Sequence, residues 1–435
     1  MKVFIIGSGG REHTLAWKIK QSPLVKKIYC ATGNGGISDL AECVPIAVED
    51  VDKLLQFAKD KKIDLTVVGP EGPLVGGIVD RFERAGLKIF GPNQLAAQLE
   101  GSKAFAKEFM RRHNIPTAAF KIFDKPQEAR NFLKKAKFPL VIKADGLASG
   151  KGVMVCNDQR QAEEAVDQIM VQKLFKEAGQ RIVIEECLQG EELSVMAVSD
   201  GSDYVVLDSA QDHKRIFDDD LGPNTGGMGA YSPTAIINEE LLRTIEKTII
   251  EPVIRGMDKE GMPFKGVLYA GIMITVAGPY VLEFNARFGD PEAQVVLPRM
   301  KNDLMELMLA SSEGWLDKIT LHWDKRHCVC VVMSSGGYPG KYETGKEITG
   351  LNDFTKEKDV LVFHAGTKKE NNKIVTSGGR VLGVTGLAHT MEGAIERTYK
   401  VVEKIKFDRC FFRRDIAMRA IKRAGRSKSE TTSTR

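Results

Sequence analysis

Glu283 and Asn285 stand two residues apart at the end of an apolar run, Tyr280 to Phe284. Along a strand, alternation places both side chains on one face. A carboxylate and an amide oxygen so placed suit Mg²⁺ held against the phosphates of a nucleotide, because that ion takes few protein oxygens and shares the rest of its shell with substrate. On these two residues alone a solvent-facing hairpin edge reads as well. The next residues, Arg287-Phe288-Gly289-Asp290-Pro291-Glu292, crowd a guanidinium and two carboxylates into one turn, a costly arrangement unless something anionic is held there. A second concentration of phosphate chemistry runs from Lys143 through Ala144-Asp145-Gly146-Leu147-Ala148-Ser149-Gly150-Lys151-Gly152. It lacks the GxxxxGK[ST] spacing of a Walker loop and no helix follows it. It reads instead as a glycine-rich flap between two strands, Phe138 to Lys143 and Val153 to Cys156, that closes over a triphosphate with Lys143 beneath and Lys151 above.

The elements that position these groups follow from local patterns. Val267 to Val276 and Tyr280 to Phe284 are strand-like, and Ala277-Gly278-Pro279 between them is turn chemistry, which predicts a hairpin. At the start, the strand Met1 to Ile6 meets Gly7-Ser8-Gly9-Gly10 and a helix from near Glu12, a turn whose backbone amides can approach a phosphate. A dinucleotide site would need an acid after the second strand. Lys27 to Ala31 is followed instead by Thr32-Gly33-Asn34-Gly35-Gly36, which disfavours NAD. A third strand, Leu65 to Val68, and a fourth, Leu87 to Phe90, also run into glycine-bearing loops, so the first 100 or so residues predict an open parallel sheet whose loops suit one sugar phosphate.

Ser102 is placed to cap a helix running to about His113, and Lys103 in its first turn opposes the helix dipole unless it faces a phosphate. A helix from Asp158 to about Glu177 and a strand Arg181 to Glu186 complete a small lobe, with Glu185 to Glu192 as its exit hinge. Residues 208 to 233 read as an irregular run, too long for a plain connection. A helix from about Asp290, apolar at Val295, Val296, Leu304, Met305, Met308 and Leu309, leads toward a last domain opening at Cys328. Ser427 to Arg435 reads as a disordered tail.

A chain of 435 residues has room for about three domains. Its 63 basic and 58 acidic residues give a net charge of only +5, which suits small anionic substrates rather than nucleic acid. Seven scattered cysteines without a CxxC pair indicate neither zinc nor a disulfide framework, so a reducing, cytoplasmic setting is expected. No apolar run reaches the roughly 18 residues of a membrane span, and Val3 to Ile6 is too short for a signal-peptide core.

The string LEFNxRFGDPExQ at 282–294 resembles the signature of the glycinamide ribonucleotide synthetase (phosphoribosylamine–glycine ligase) family, ATP-grasp enzymes of purine biosynthesis. The resemblance extends over nearly all of residues 1–420. It implies a mixed α/β (α+β) chain with an ATP-grasp fold: an N-terminal open parallel-sheet domain at 1–101, an ATP-grasp domain at 102–325 with a mobile lid lobe at about 122–188, and a C-terminal α+β domain at 326–420, leaving 421–435 as a tail.

The activity implied is ligation of glycine to phosphoribosylamine through glycyl phosphate, with ATP as substrate. Mg²⁺ or Mn²⁺ would sit at Glu283 and Asn285. ATP would meet Lys103, Lys143, Ser149, Lys151, Glu185, Glu186 and Leu188, with Glu192 on the ribose. Phosphoribosylamine is assigned to Gly9, Gly10, Asn34 and Glu71, Asn224 and Gly226 fall in the acceptor-substrate pocket, and Gly289 and Asp290 are further substrate-binding positions. Asp212 would hold the glycine ammonium, Lys214 an anion, and Arg287 the charge of the transferring groups. His213 reads as a structural neighbour. Tyr269-Ala270-Gly271 stands where many relatives place another metal-binding acid, which leaves a second metal site open. A monomer or weak homodimer without nucleic-acid or membrane partners is expected. A carboxylase-type or other carboxylate–amine ATP-grasp ligase would lack QDHKR and RFGDPE, and a non-catalytic nucleotide-binding regulator would tolerate loss of Glu283 or Arg287.

Overall fold

The computed structural model of this chain describes residues 1–148, 152–351, 357 and 359–423. Ser149 and Lys151 lie outside the described residues, as does the expected tail beyond 423. Residues 418–423 are helical, so the tail anticipated from 421 begins inside a helix.

Lys2–Gly7 is buried except at its first residue and forms the middle of a five-stranded parallel sheet ordered Glu42–Val44, Lys27–Thr32, Lys2–Gly7, Leu65–Val68, Ile89–Phe90. Parallel strands are covered on both faces, which is why they read as unbroken apolar runs. Glu42–Val44 was not foreseen, since three residues are too few to show a period. The strand expected over 87–90 is confined to Ile89–Phe90. After the first strand, Gly7 turns at φ +129° and Gly9 N donates to Glu12 Oε2 at 2.6 Å, opening the helix Gly10–Ile19.

The lid is a four-stranded antiparallel sheet ordered Phe120–Phe123, Ile182–Glu186, Leu140–Ala144, Val153–Cys156. The helix expected to reach 177 instead runs as Gln159–Val166 and a wider turn Asp167–Val171. Lys173 and Lys176, both at φ 52°, are in the left-handed region and cannot continue a right-handed helix.

The central sheet orders Tyr204–Val206, Glu191–Asp200, Lys265–Thr275 and Gly278–Asn285. The last two form the anticipated hairpin, with its turn at Val276 and Ala277. Register slips between the pairs Gly271↔Glu283 and Ile272↔Val281, a bulge at Leu282 that re-aims the strand end. Phe4 and Ile6 of the first sheet share one apolar core with Leu193, Leu268 and Phe284, which fixes the N-terminal loops against this strand. The helix expected from Asp290 is split by Pro298 into Ala293–Val296 and Leu304–Glu313.

Residues 208–233 are not irregular. Gln211–Asp212 and Gly229–Ser232 join a sheet ordered with His327–Ser334, Arg380–Ala388 and Val360–His364, and Arg215–Phe217 pairs with Leu221–Asn224. These strands are only two to four residues long, so no alternation marked them. Fully buried Arg413 anchors that hairpin, lying 3.0 Å from Asp220 and 2.6 Å from Asp415 and donating to Arg215 O at 3.0 Å.

Candidate active site

Lid, hairpin, N-terminal loops and C-terminal domain enclose a cleft of about 1010 Å³. Ala106, Met110, Val141, Val155, Leu188 and Phe284 are among its apolar lining, and Lys103, Lys143, Asp212, Lys214, Glu283, Asn285 and Arg287 among its polar lining. Apolar side chains together with converging charges in one cleft fit a flat base with its phosphates. A second cavity of about 610 Å³ lies between Ser8, Gly9 and Gly35 and the C-terminal residues Thr367, Lys368, Ser377 and Gly378; Ser8, Gly9, Asp290 and Arg380 border both.

Lys143 Nζ donates to Leu282 O at 2.9 Å and lies 2.5 Å from Glu185 Oε1. Glu185 is buried, and its other oxygen pairs with Lys107. Lys103 donates to Gly146 O at 3.2 Å from the first turn of the helix Lys103–Arg112. Ser102 Oγ accepts from Phe105 N at 3.0 Å as its cap, and Asp145 Oδ1 accepts from Ser102 Oγ at 2.8 Å and Ala104 N at 2.9 Å. The base of the flap is thus tied to the helix start. Glu186 and Leu188 border the cleft, and Glu192 lies 3.1 Å from Lys214.

Burial would raise the Glu283 carboxyl, but Lys214, Lys143 and Lys103 outweigh it and bring the group down to about 2. Lys214 Nζ lies 3.4 Å from Glu283 Oε1, a cation already standing beside that carboxylate. Asn285 Oδ1 is 3.4 Å from Arg287 Nη2. One ionised carboxylate and one amide oxygen are hard donors that fit an ion completing its shell with phosphate oxygens. Among the described residues no cluster of three His, Cys, Asp or Glu converges for a metal.

Arg287 is framed by acids, with Nη2 2.9 Å from Glu100 Oε1 and Nε 3.5 Å from Glu71 Oε2. Glu100 also accepts from Ala286 N at 2.7 Å. Burial raises the Glu100 carboxyl in spite of Arg287.

Asp212 Oδ1 is buried with no hydrogen-bond partner among the described residues, and whereas Glu185 Oε2, which also lacks one, sits against the Lys107 ammonium, Asp212 has no ion pair among them. Burial, and then the charge of Glu292, hold its carboxyl well above the usual range. Glu292 accepts from Ser194 Oγ at 2.9 Å and Tyr269 OH at 2.8 Å. A lone buried carboxylate oxygen facing a cleft is a place for a cationic group. His213 is wholly buried, and burial followed by the charges of Arg419 and Arg413 drives its ring down to about 3; it is a neutral neighbour.

Among the remaining expected residues, Glu71, Asn224, Gly226 and Asp290 border the cleft, and Gly9 borders both cavities. Asn34 borders the second cavity, yet its amide donates to Ser8 O at 2.8 Å and His364 O at 2.7 Å and accepts from Gly36 N and Ile37 N. Gly10 packs beneath: a Cβ there would stand 2.5 Å from Gln294 Nε2. At Gly289 a Cβ would meet Glu292 Oε2 at 2.4 Å, so each of these two glycines makes room for a buried polar side chain. Sequence reasoning missed Lys107, Glu100, Glu292 and Arg380. Glu292 lay inside the conspicuous turn and Arg380 beside two glycines, whereas Lys107 and Glu100 carried no local signal.

Models of the phosphoribosylglycinamide synthetase N domain, ATP-grasp (A) domain and C domain match residues 1–100, 101–293 and 328–419. The chain is 51% identical over 417 residues to the phosphoribosylamine–glycine ligase of Caldanaerobacter subterraneus subsp. tengcongensis, covering 96% of this chain and 99% of that protein. It is 51% identical over 427 residues to the one of Escherichia coli (strain K12), covering 97% and 99%. The crystal structure of the phosphoribosylamine–glycine ligase of Thermotoga maritima superimposes with a TM-score of 0.84 at 36% identity, over 95% of this chain and 100% of that one. A biotin carboxylase from Campylobacter jejuni shares the fold, with a TM-score of 0.74 at 14% identity over 94% and 92% of the two chains.

Proposed function

This chain belongs to the phosphoribosylglycinamide synthetase family and is an ATP-dependent ligase of purine biosynthesis, and from that premise we propose how its cleft joins glycine to phosphoribosylamine. The observation that carries the reading is the unpartnered Asp212 oxygen, which faces the same cleft as Lys143, Glu283 and Arg287. A receptor for an ammonium group beside a receptor for phosphates is what activation of an amino acid needs. The adenine fits the cleft at Glu186 and Leu188, the ribose Glu192, and the phosphates Lys103 and Lys143. Glu283 and Asn285 would hold Mg²⁺ or Mn²⁺, which neutralises charge on the phosphates when bound.

Asp212 orients glycine so that a carboxylate oxygen attacks the γ-phosphorus and ADP leaves. Arg287, held by Glu71 and Glu100, stabilises the charge that develops on the transferring oxygens. The amine of phosphoribosylamine then attacks the glycyl carbonyl, loses a proton, and expels phosphate. Gly9, Lys368, Ser377 and Arg380 around the second cavity suit the ribose 5-phosphate. All seven cysteines are free thiols, which supports a cytoplasmic setting, and no described helix is long and apolar enough to cross a membrane.

Release of ADP from MgATP tests the reading, with glycine and phosphoribosylamine supplied together and then omitted in turn. Release that needs both is expected; release that needs neither would sink the reading. In the same assay Asp212→Asn raises the KM for glycine by ~30-fold, the worth of one charged hydrogen bond, while the KM for ATP stays put. An unchanged glycine KM would remove Asp212 from the ammonium site.

A further inference from the structure

Lys107 stands one turn after Lys103 and is only 2% exposed. Its ammonium pairs with Glu185 Oε2 and donates to Thr117 Oγ1 at 2.6 Å, and Thr117 donates to Val281 O at 2.8 Å on the strand that carries Glu283. The other Glu185 oxygen lies 2.5 Å from Lys143 Nζ, and Lys143 donates to Leu282 O at 2.9 Å. Glu185 and Lys143 belong to the lid sheet, whereas Lys107, Thr117 and Leu282 belong to the body. No step described above uses Lys107.

We propose that Lys107 is a positioning residue for the nucleotide phosphates, holding Glu185 so that Lys143 keeps its place and leaving the Lys107–Glu185–Lys143 group with a net positive charge. The inference rests on reading the cleft as an ATP site. Two ammonium groups share one carboxylate. Without Lys107, Glu185 and Lys143 form a neutral pair, both carboxylate oxygens are free to turn to Lys143, and its pull on a phosphate weakens in a cleft of low dielectric. Lys143 also has only three N–H groups. Glu185 and Leu282 O take two, and a carboxylate no longer held by Lys107 competes for the third.

The groups around Lys107 are Glu185 and Lys143 from the lid, Glu283 from the hairpin, and the Phe120 ring, whose centroid is 5.8 Å from Lys107 Nζ and which also faces Arg111. Burial brings the Lys107 ammonium down to about 8, against the pull of Glu185. Its charge is therefore present at neutral pH and lost as pH rises through that value.

Calorimetric titration of the full chain with MgADP, without glycine or phosphoribosylamine, reads the effect directly. Lys107→Met leaves Glu185 paired with Lys143, so no buried charge is orphaned, and it is expected to weaken MgADP by ~10-fold at pH 7. The variant also loses the wild-type decline in affinity between about pH 7 and 9 that follows from that titration. Lys107→Arg restores binding. In turnover assays the loss appears in the KM for ATP and not in kcat. A Lys107→Met protein that binds MgADP like wild type would overturn the proposal. If wild type binds no MgADP at all, the nucleotide reading of the cleft fails first and this inference with it.

Discussion

Replacing Glu283 by alanine lowers ADP release by ~10³-fold or more, the scale of losing a group that organises charge on a transferring phosphoryl. The protein stays folded, because each neighbouring cation keeps another partner: Lys214 has Glu192, Lys143 has Glu185 and the Leu282 carbonyl, and Lys103 has the Gly146 carbonyl. A thermal midpoint within a few degrees of wild type, beside turnover at background, is the expected pair of results. A variant that still forms ADP at a tenth of the wild-type rate would remove Glu283 from the metal site.

Arg287→Met is expected to damage both stability and chemistry. The guanidinium is shared by Glu100, whose side chain is 6% exposed, and Glu71, at 29%. Removing it leaves a buried carboxylate without its cation, which costs about 3–5 kcal/mol when a buried pair is broken on one side. The sign of the pH dependence follows from Glu100. Burial already holds its carboxyl above the usual range, and without Arg287 it goes higher. A group that binds its proton more tightly folded than unfolded makes stability fall as pH rises. The stability deficit of Arg287→Met therefore grows from pH 5 to pH 8 in denaturant titrations and shrinks in acid. Turnover falls by ~10²–10³-fold when the charge on the reacting oxygens loses this partner. A deficit independent of pH would mean that Glu100 does not carry the lost interaction.

What the sequence disclosed was local. Glu283 and Asn285 lie two residues apart on one strand, so alternation alone placed them together, and the apolar run at Leu65–Val68 coincides with its strand. The glycine loops were legible because turns demand those residues. What stayed hidden was long-range. Glu100 and Ala286 meet across 186 positions and Arg11 and Asp290 across 279, and no period in the chain records such meetings. Lys107 looked like any lysine on a helix, because burial and partner are properties of the fold. The strands around Asp212 were too short to announce themselves.

The C-terminal sheet takes Gly229–Ser232 as a strand beside His327–Ser334, so the boundary expected at 326 separates neighbours in one sheet. A chain cut there would present the Gly229–Ser232 edge bare, with its amides and carbonyls seeking another strand, and the short strand bearing Asp212 would lose its frame. The three segments visible along the sequence are consequently not interchangeable modules. Grafting a foreign C-terminal third onto residues 1–326 would have to match a register of four residue pairs, Gly229↔Val331 to Ser232↔Cys328, before the cleft around Asp212 could form.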